Sequence, residues 1–156
     1  MKGPLADLPK QYLTLKPEND AAIQRVIESS QFILGKAVAD FETAFAAAHA
    51  TRHCIATGSG TDALHAALWG VGVKEKSAVI TTPFTFIATV EAIQLCGATP
   101  LFVDIDPKTY CMDPAKLDEL LRRPESKNVR AIIPIHLYGQ AAAMGEIMKL
   151  ADDRGI

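Results

Sequence analysis

The chain has 156 residues, 49% of them hydrophobic and 22% charged, a composition that excludes a disordered tail or a collagen-like chain. Sixteen basic against eighteen acidic residues leave a net charge of −2, which argues against a dedicated nucleic-acid binder with its basic excess. No apolar run reaches the roughly 18 residues of a membrane span, and the opening Met1–Asp7 lacks the apolar core of a signal peptide. Cys54, Cys96 and Cys111 are odd in number and never paired as C-x-x-C, so they read as reduced thiols of a cytosolic protein. His49, His53, His65 and His136 show no metal-ligand spacing with them, and no metal site is expected.

In chain order, Leu5–Pro17 carries Pro9 and Pro17 and reads as an extended arm. From Glu18 a helical period sets in, with Ile23, Val26 and Ile27 on one face, and Ser29-Ser30 closes it. Gln31–Gly35 is a short apolar connector. A second helix follows, with Val38, Phe41, Phe45 and Ala48 along one stripe. Short apolar runs then alternate with helical segments. The runs are His53–Thr57, Ala78–Thr82, Thr99–Val103 and Ala131–Ile135; the helices are Thr61–Trp69, Thr85–Cys96, Pro114–Leu121 and Ala142–Asp153. Asp113 is placed to cap a helix with Pro114 at its first position. Strands apolar throughout and separated by helices predict an α/β domain with a parallel sheet covered on both faces. At the other end, Asp152–Ile156 reads as a last helical turn, a glycine cap and the first residue of a further strand, an expectation that the chain is the N-terminal portion of a longer protein.

The strand ends carry the motifs. Gly58-Ser59-Gly60-Thr61-Asp62 opens a helix, where free N–H groups and the helix dipole suit a phosphate. An ordinary turn capped by Thr61 is the plain alternative. The same stretch matches G-x-G-x-x-A, but a dinucleotide site needs an acid about 20 residues on, and Ile80-Thr81-Thr82-Pro83 supplies none. Phe84 and Phe86 follow the next strand; spacing alone favours core packing over stacking on a flat cofactor. Asp104-Ile105-Asp106-Pro107 reads as a turn initiated by Asp106. His136, Tyr138 and Gln140 fall at another strand end, as acid–base or positioning groups or as structural hydrogen bonders.

Together Gly58–Leu64, Thr82–Thr89 and Pro134–Gln140, with Asp7–Tyr12, Gln31–Gly35, Gly97–Asp106 and Ala151–Ile156, resemble the DegT/DnrJ/StrS-type sugar aminotransferases. That family is of fold-type I, pyridoxal-phosphate-dependent. The resemblance implies a three-layer αβα fold with a mostly parallel sheet. Residues 1–35 would form an N-terminal arm and first helix, and residues 36–156 the N-terminal part of the cofactor-binding large domain. It also implies pyridoxal 5'-phosphate as cofactor, with Gly60, Thr61 and Asp62 at the phosphate and Phe86, rather than Phe84, on the ring. Substrates would be a nucleotide-linked keto-sugar and an amino-acid donor, typically glutamate. The protein would be a cytoplasmic homodimer with the Phe32–Gly35 connector at the subunit interface. Such chemistry needs a Schiff-base lysine and a carboxylate on the pyridinium nitrogen. None of the ten lysines lies in the family's context, Lys149 being mid-helix. The resemblance places both groups beyond Ile156, and the 156 residues alone are expected to be inactive. A non-catalytic regulatory relative and, further off, a dinucleotide-binding module are the other readings.

Overall fold

The computed structural model describes residue 4 and residues 6–156; what the sequence suggests for residues 1–3 and 5 lies outside the described residues. Two compact units are present, Met1–Ala56 and Thr57–Ile156.

In the first unit, α1 spans Leu8–Ser29 and α2 spans Lys36–Ala48. The extended arm expected up to Pro17 is instead helix. Asp7 caps it by accepting the Lys10 N–H, and Pro9 occupies the first turn, where its missing N–H costs nothing. Pro17 lies inside the helix, flanked by side-chain bonds: the Lys16 ammonium pairs with Asp20 one turn on, and Asp20 also accepts from Tyr12 Oη, two turns back, at 2.9 Å. The expected end at Ser29-Ser30 holds, with Ser30 in the left-handed region at φ 53°. No residue of α1 is buried. Along α2 and its C-cap, the rings of Phe41, Phe45 and His49 follow one another in tilted contact, centroids 5.4 and 4.3 Å apart. The run His53–Thr57 forms no strand. The Ala56 N–H is taken at 2.8 Å by the Glu42 carboxylate, a side chain standing where a ladder partner would be.

The second unit is a three-layer αβα arrangement. Its helices are α3 (Gly60–Gly70), α4 (Ala88–Leu95), α5 (Pro114–Leu121) and α6 (Met144–Asp152), and its strands β1 (Ala78–Thr81), β2 (Thr99–Phe102) and β3 (Val129–Ile132). All pairings are parallel in the order β2-β1-β3, with Ala78 opposite both Thr99 and Val129. Central β1 is buried along its whole length, which is why it reads as an unbroken apolar run. Its side chains divide between two cores. Ala78 and Ile80 join Leu117, Leu120 and Leu121 of α5 and Ile147 of α6. Val79 joins Leu68 of α3 and Ala92 and Ile93 of α4. The sheet is therefore covered on both faces, as the sequence predicts.

β3 begins two residues earlier than expected and pairs only as far as Ile133, whose N–H donates to Ile80 at 2.8 Å. Pro134 has no N–H to continue the ladder. Pro100 sits in β2, which flanks the sheet and can leave one backbone side without a donor. Asp113 caps α5 as expected, accepting from Ala115 and Lys116. α6 closes with Gly155 at φ 67° and bonds from Gly155 to Asp152 and from Ile156 to Ala151, the paired bonds of a Schellman turn. No helix among the described residues is long and apolar enough to cross a membrane.

Candidate functional site

The winding of the sheet locates a crevice. From β1 the chain leaves to α4, on one face; from β3 it leaves to α6, on the opposite face. In open α/β sheets the gap between two such neighbouring strands, beyond their C-terminal ends, is where ligands bind. Here it lies between the segment after β1, Thr82–Ile87, and the segment after β3, Ile133–Ala143. α3 directly precedes β1 and packs on its face, so chain direction brings the N-terminus of α3 to the same sheet edge.

That N-terminus is open. Ser59, rather than Thr61, is the cap: its Oγ accepts the Asp62 N–H at 3.1 Å, and its C=O accepts from Ala63. Among the described residues the Gly60 and Thr61 N–H groups have no acceptor. A Cβ built on Gly60 would meet nothing within 4 Å, whereas one on Gly58 would stand 3.1 Å from Asp62 Oδ2. The Asp62 carboxylate thus folds back over Gly58, and the Asp62 N–H is already used.

Past β1, Phe84 and Phe86 part company. Phe84 is 43% exposed and stands against Tyr110 with ring centroids 6.0 Å apart; Phe86 is 76% exposed. The core-packing expectation for these two fails, because the Pro83–Thr85 turn delays α4 until Ala88 and leaves both rings outside the helix–sheet interface. Thr82, 1% exposed, holds a hydroxyl with no partner among the described residues. Thr81, beside it, finds a partner, its hydroxyl donating to the Ile133 C=O at 3.1 Å; nothing in the sequence separates the two threonines.

On the β3 side, His136, Tyr138 and Gln140 do reach the same edge. His136 Nδ1 accepts the Ala142 N–H at 3.1 Å, and Tyr138 is 85% exposed at φ 54°. Asp106 makes the expected turn, its Oδ1 accepting from Lys108 and Thr109, both at 2.8 Å. The Thr109 N–H, then that of Lys108, hold its carboxyl below the usual carboxylate range. All three cysteines are free, and burial pushes the Cys96 thiol up. No cluster of metal-ligating side chains occurs among the described residues.

Comparison with known proteins decides the kinship. Residues 14–156 match the DegT/DnrJ/EryC1/StrS aminotransferase family. The chain belongs to it. A "Pleiotropic regulatory protein" of Geobacillus stearothermophilus is 44% identical over all of this chain and 41% of its own length. The UDP-2-acetamido-2-deoxy-3-oxo-D-glucuronate aminotransferase of Pseudomonas aeruginosa is 41% identical over 96% of this chain and 41% of its own. The crystal structure of DesV from S. venezuelae superposes with a TM-score of 0.91 at 38% identity, over 98% of this chain and 40% of that one. The chain therefore spans about two-fifths of the length of these relatives. Its αβα unit is part of the fold of pyridoxal-phosphate aminotransferases. The aminotransferases of the family depend on pyridoxal phosphate, and the donor set at the edge fits that group. Two free backbone N–H groups at a helix N-terminus suit a phosphate ester, and an uncovered aromatic ring suits a flat heterocycle.

Proposed function

We propose that the protein to which this chain belongs is a pyridoxal-phosphate-dependent aminotransferase acting on a nucleotide-linked keto-sugar, with an amino acid, glutamate in the first instance, as donor. The open N-terminus of α3 at the switch-point crevice carries this reading. Gly60 and Thr61 bind the phosphate through their N–H groups, reinforced by the positive end of the helix dipole. Asp62 contributes less directly. Its carboxylate repels an anion, and its N–H must leave Ser59 Oγ before it can join the phosphate contacts. Phe86 lies on the ring and excludes water from that face. When bound, pyridoxal phosphate supplies the electron sink through which an amino group is transferred. The chemistry also needs a Schiff-base lysine and a pyridinium carboxylate; residues 36–156 are assigned the phosphate and ring contacts of the large domain, and neither of those two roles.

The substrate class is supported by the name of the Pseudomonas aeruginosa relative, a UDP-linked oxo-sugar aminotransferase. We further propose a cytoplasmic homodimer, with the Phe32–Gly35 connector in the interface: Phe32, Ile33 and Leu34 are 67%, 85% and 86% exposed. A regulatory, non-catalytic role is the second reading, favoured by the name of the 44%-identical relative. A dinucleotide-binding module lacks the acid after β1 that ribose recognition needs.

The test is made on the intact protein. It should show visible absorbance from bound cofactor and transfer the amino group of glutamate to a nucleotide-linked keto-sugar. Absorbance without transfer to any such sugar favours the regulatory reading; no cofactor absorbance overturns the proposal.

A further inference from the structure

The turn leaving β3 is built against local preference. Tyr138, at φ 54° and ψ 25°, and Gly139, at φ 81°, are consecutive left-handed residues. Glycine takes this conformation freely, but a bulky aromatic at such a position is strained and persists only where its surroundings hold it. The turn closes on its own backbone, the Gln140 N–H donating to the Leu137 C=O at 2.9 Å, and two side-chain bonds tie it down. The His136 imidazole reaches across six residues to accept the Ala142 N–H at 3.1 Å, at a residue only 5% exposed. The Cys111 thiol donates to the Gln140 C=O at 3.4 Å, tying the middle of the turn to the core beneath. The ring so held is left 85% exposed at the edge of the crevice. A strained residue left bare to solvent, in a turn tied down by the side chains of His136 and Cys111, is a residue placed for contact with something else.

We propose that His136 is a positioning residue of the site: by accepting the Ala142 N–H it fixes the turn after β3 and so sets where Tyr138 and Gln140 meet the sugar substrate. The substrate part of this inference rests on the function proposed above. The lock does not. To accept at Nδ1, the imidazole must be neutral with its proton on Nε2. A nucleotide-linked sugar offers hydroxyls for the Gln140 amide and the Tyr138 hydroxyl, and a planar base for the Tyr138 ring.

The experiment uses the intact protein. Nitrogen NMR of the wild-type histidines at pH 8 should show a pyridine-type, unprotonated Nδ1 at His136; an Nδ1–H form overturns the proposal without any mutation. His136→Ala should speed amide exchange across residues 137–142 by about tenfold, as expected when a buried donor loses its acceptor, with exchange in β1 unchanged. In the same variant KM for the sugar should rise about tenfold while kcat changes by less than about threefold, since the group lost orients binding residues and not the reacting atoms. His136→Asn, whose side-chain carbonyl also accepts, should recover most of both effects, and it serves alone if the alanine variant fails to fold. Unchanged exchange in His136→Ala, or no recovery in His136→Asn, overturns the lock. An intact protein that transfers no amine removes the substrate role together with the proposed function, and the spectroscopic and exchange results then decide the lock by themselves.

Discussion

Phe86 and Phe84 are two residues apart and chemically identical, yet their surroundings assign them different parts. Phe84 spends its face on Tyr110, whereas Phe86 is left mostly bare at the crevice edge. Replacing Phe86 with alanine in the intact protein should weaken cofactor binding by about 1–3 kcal/mol, the scale of a lost stacking contact. Phe84→Ala should change it much less. Fluorescence titration of the apo-protein with pyridoxal phosphate measures both, and equal losses would refute the assignment. Asp106 makes a second residue-scale prediction. Its carboxyl is held low by the Thr109 and Lys108 N–H groups. The stabilisation is therefore complete above the unfolded carboxylate pKa of about 3.9 and is lost as pH falls through the lower folded value. Exchange of the Lys108 and Thr109 amides should keep its protection at pH 4 and lose it only in stronger acid, and Asp106→Ala should abolish it throughout. At this scale the sequence spoke clearly where one residue acts on its own neighbours, as Asp106 and Asp113 do. It was silent where a partner lies across space: Phe84 against Tyr110, or His136 against Ala142.

The elements were legible wherever pattern and cap agree. α5 runs from Pro114 to Leu121 as read, because Asp113 satisfies two first-turn N–H groups and Pro114 needs none. Asp113→Ala should therefore cost about 1 kcal/mol of stability, measured by denaturant unfolding of the intact protein; no change would mean that the cap is redundant. The start of α1 is hidden in the sequence because two prolines suggest extended chain, whereas Pro9 stands where a helix accepts proline and Asp7 caps before it. The run His53–Thr57 has strand composition but no ladder partner among the described residues, and composition cannot supply one. α3 begins at Gly60, one residue before the start its pattern predicts, since Ser59 and not Thr61 turns the chain into the helix.

For the molecule as a whole, alternation of apolar strands with helices was enough to predict the parallel αβα unit, and chain direction alone then brings its motifs to one sheet edge. What no local pattern could give is the reversal of winding between β1 and β3, which turns that edge into a crevice. The phosphate anchor at the mouth of α3 is the claim on which the functional account stands, and comparing pyridoxal phosphate with pyridoxal tests it most directly. On the intact apo-protein, the phosphate ester should bind at least about a hundredfold more tightly, as expected for two or more charge-assisted hydrogen bonds. Gly60→Val, whose Cβ meets nothing within 4 Å at the helix mouth, should erase most of that difference. Equal affinities for the two compounds, or a difference that survives Gly60→Val untouched, would contradict the account.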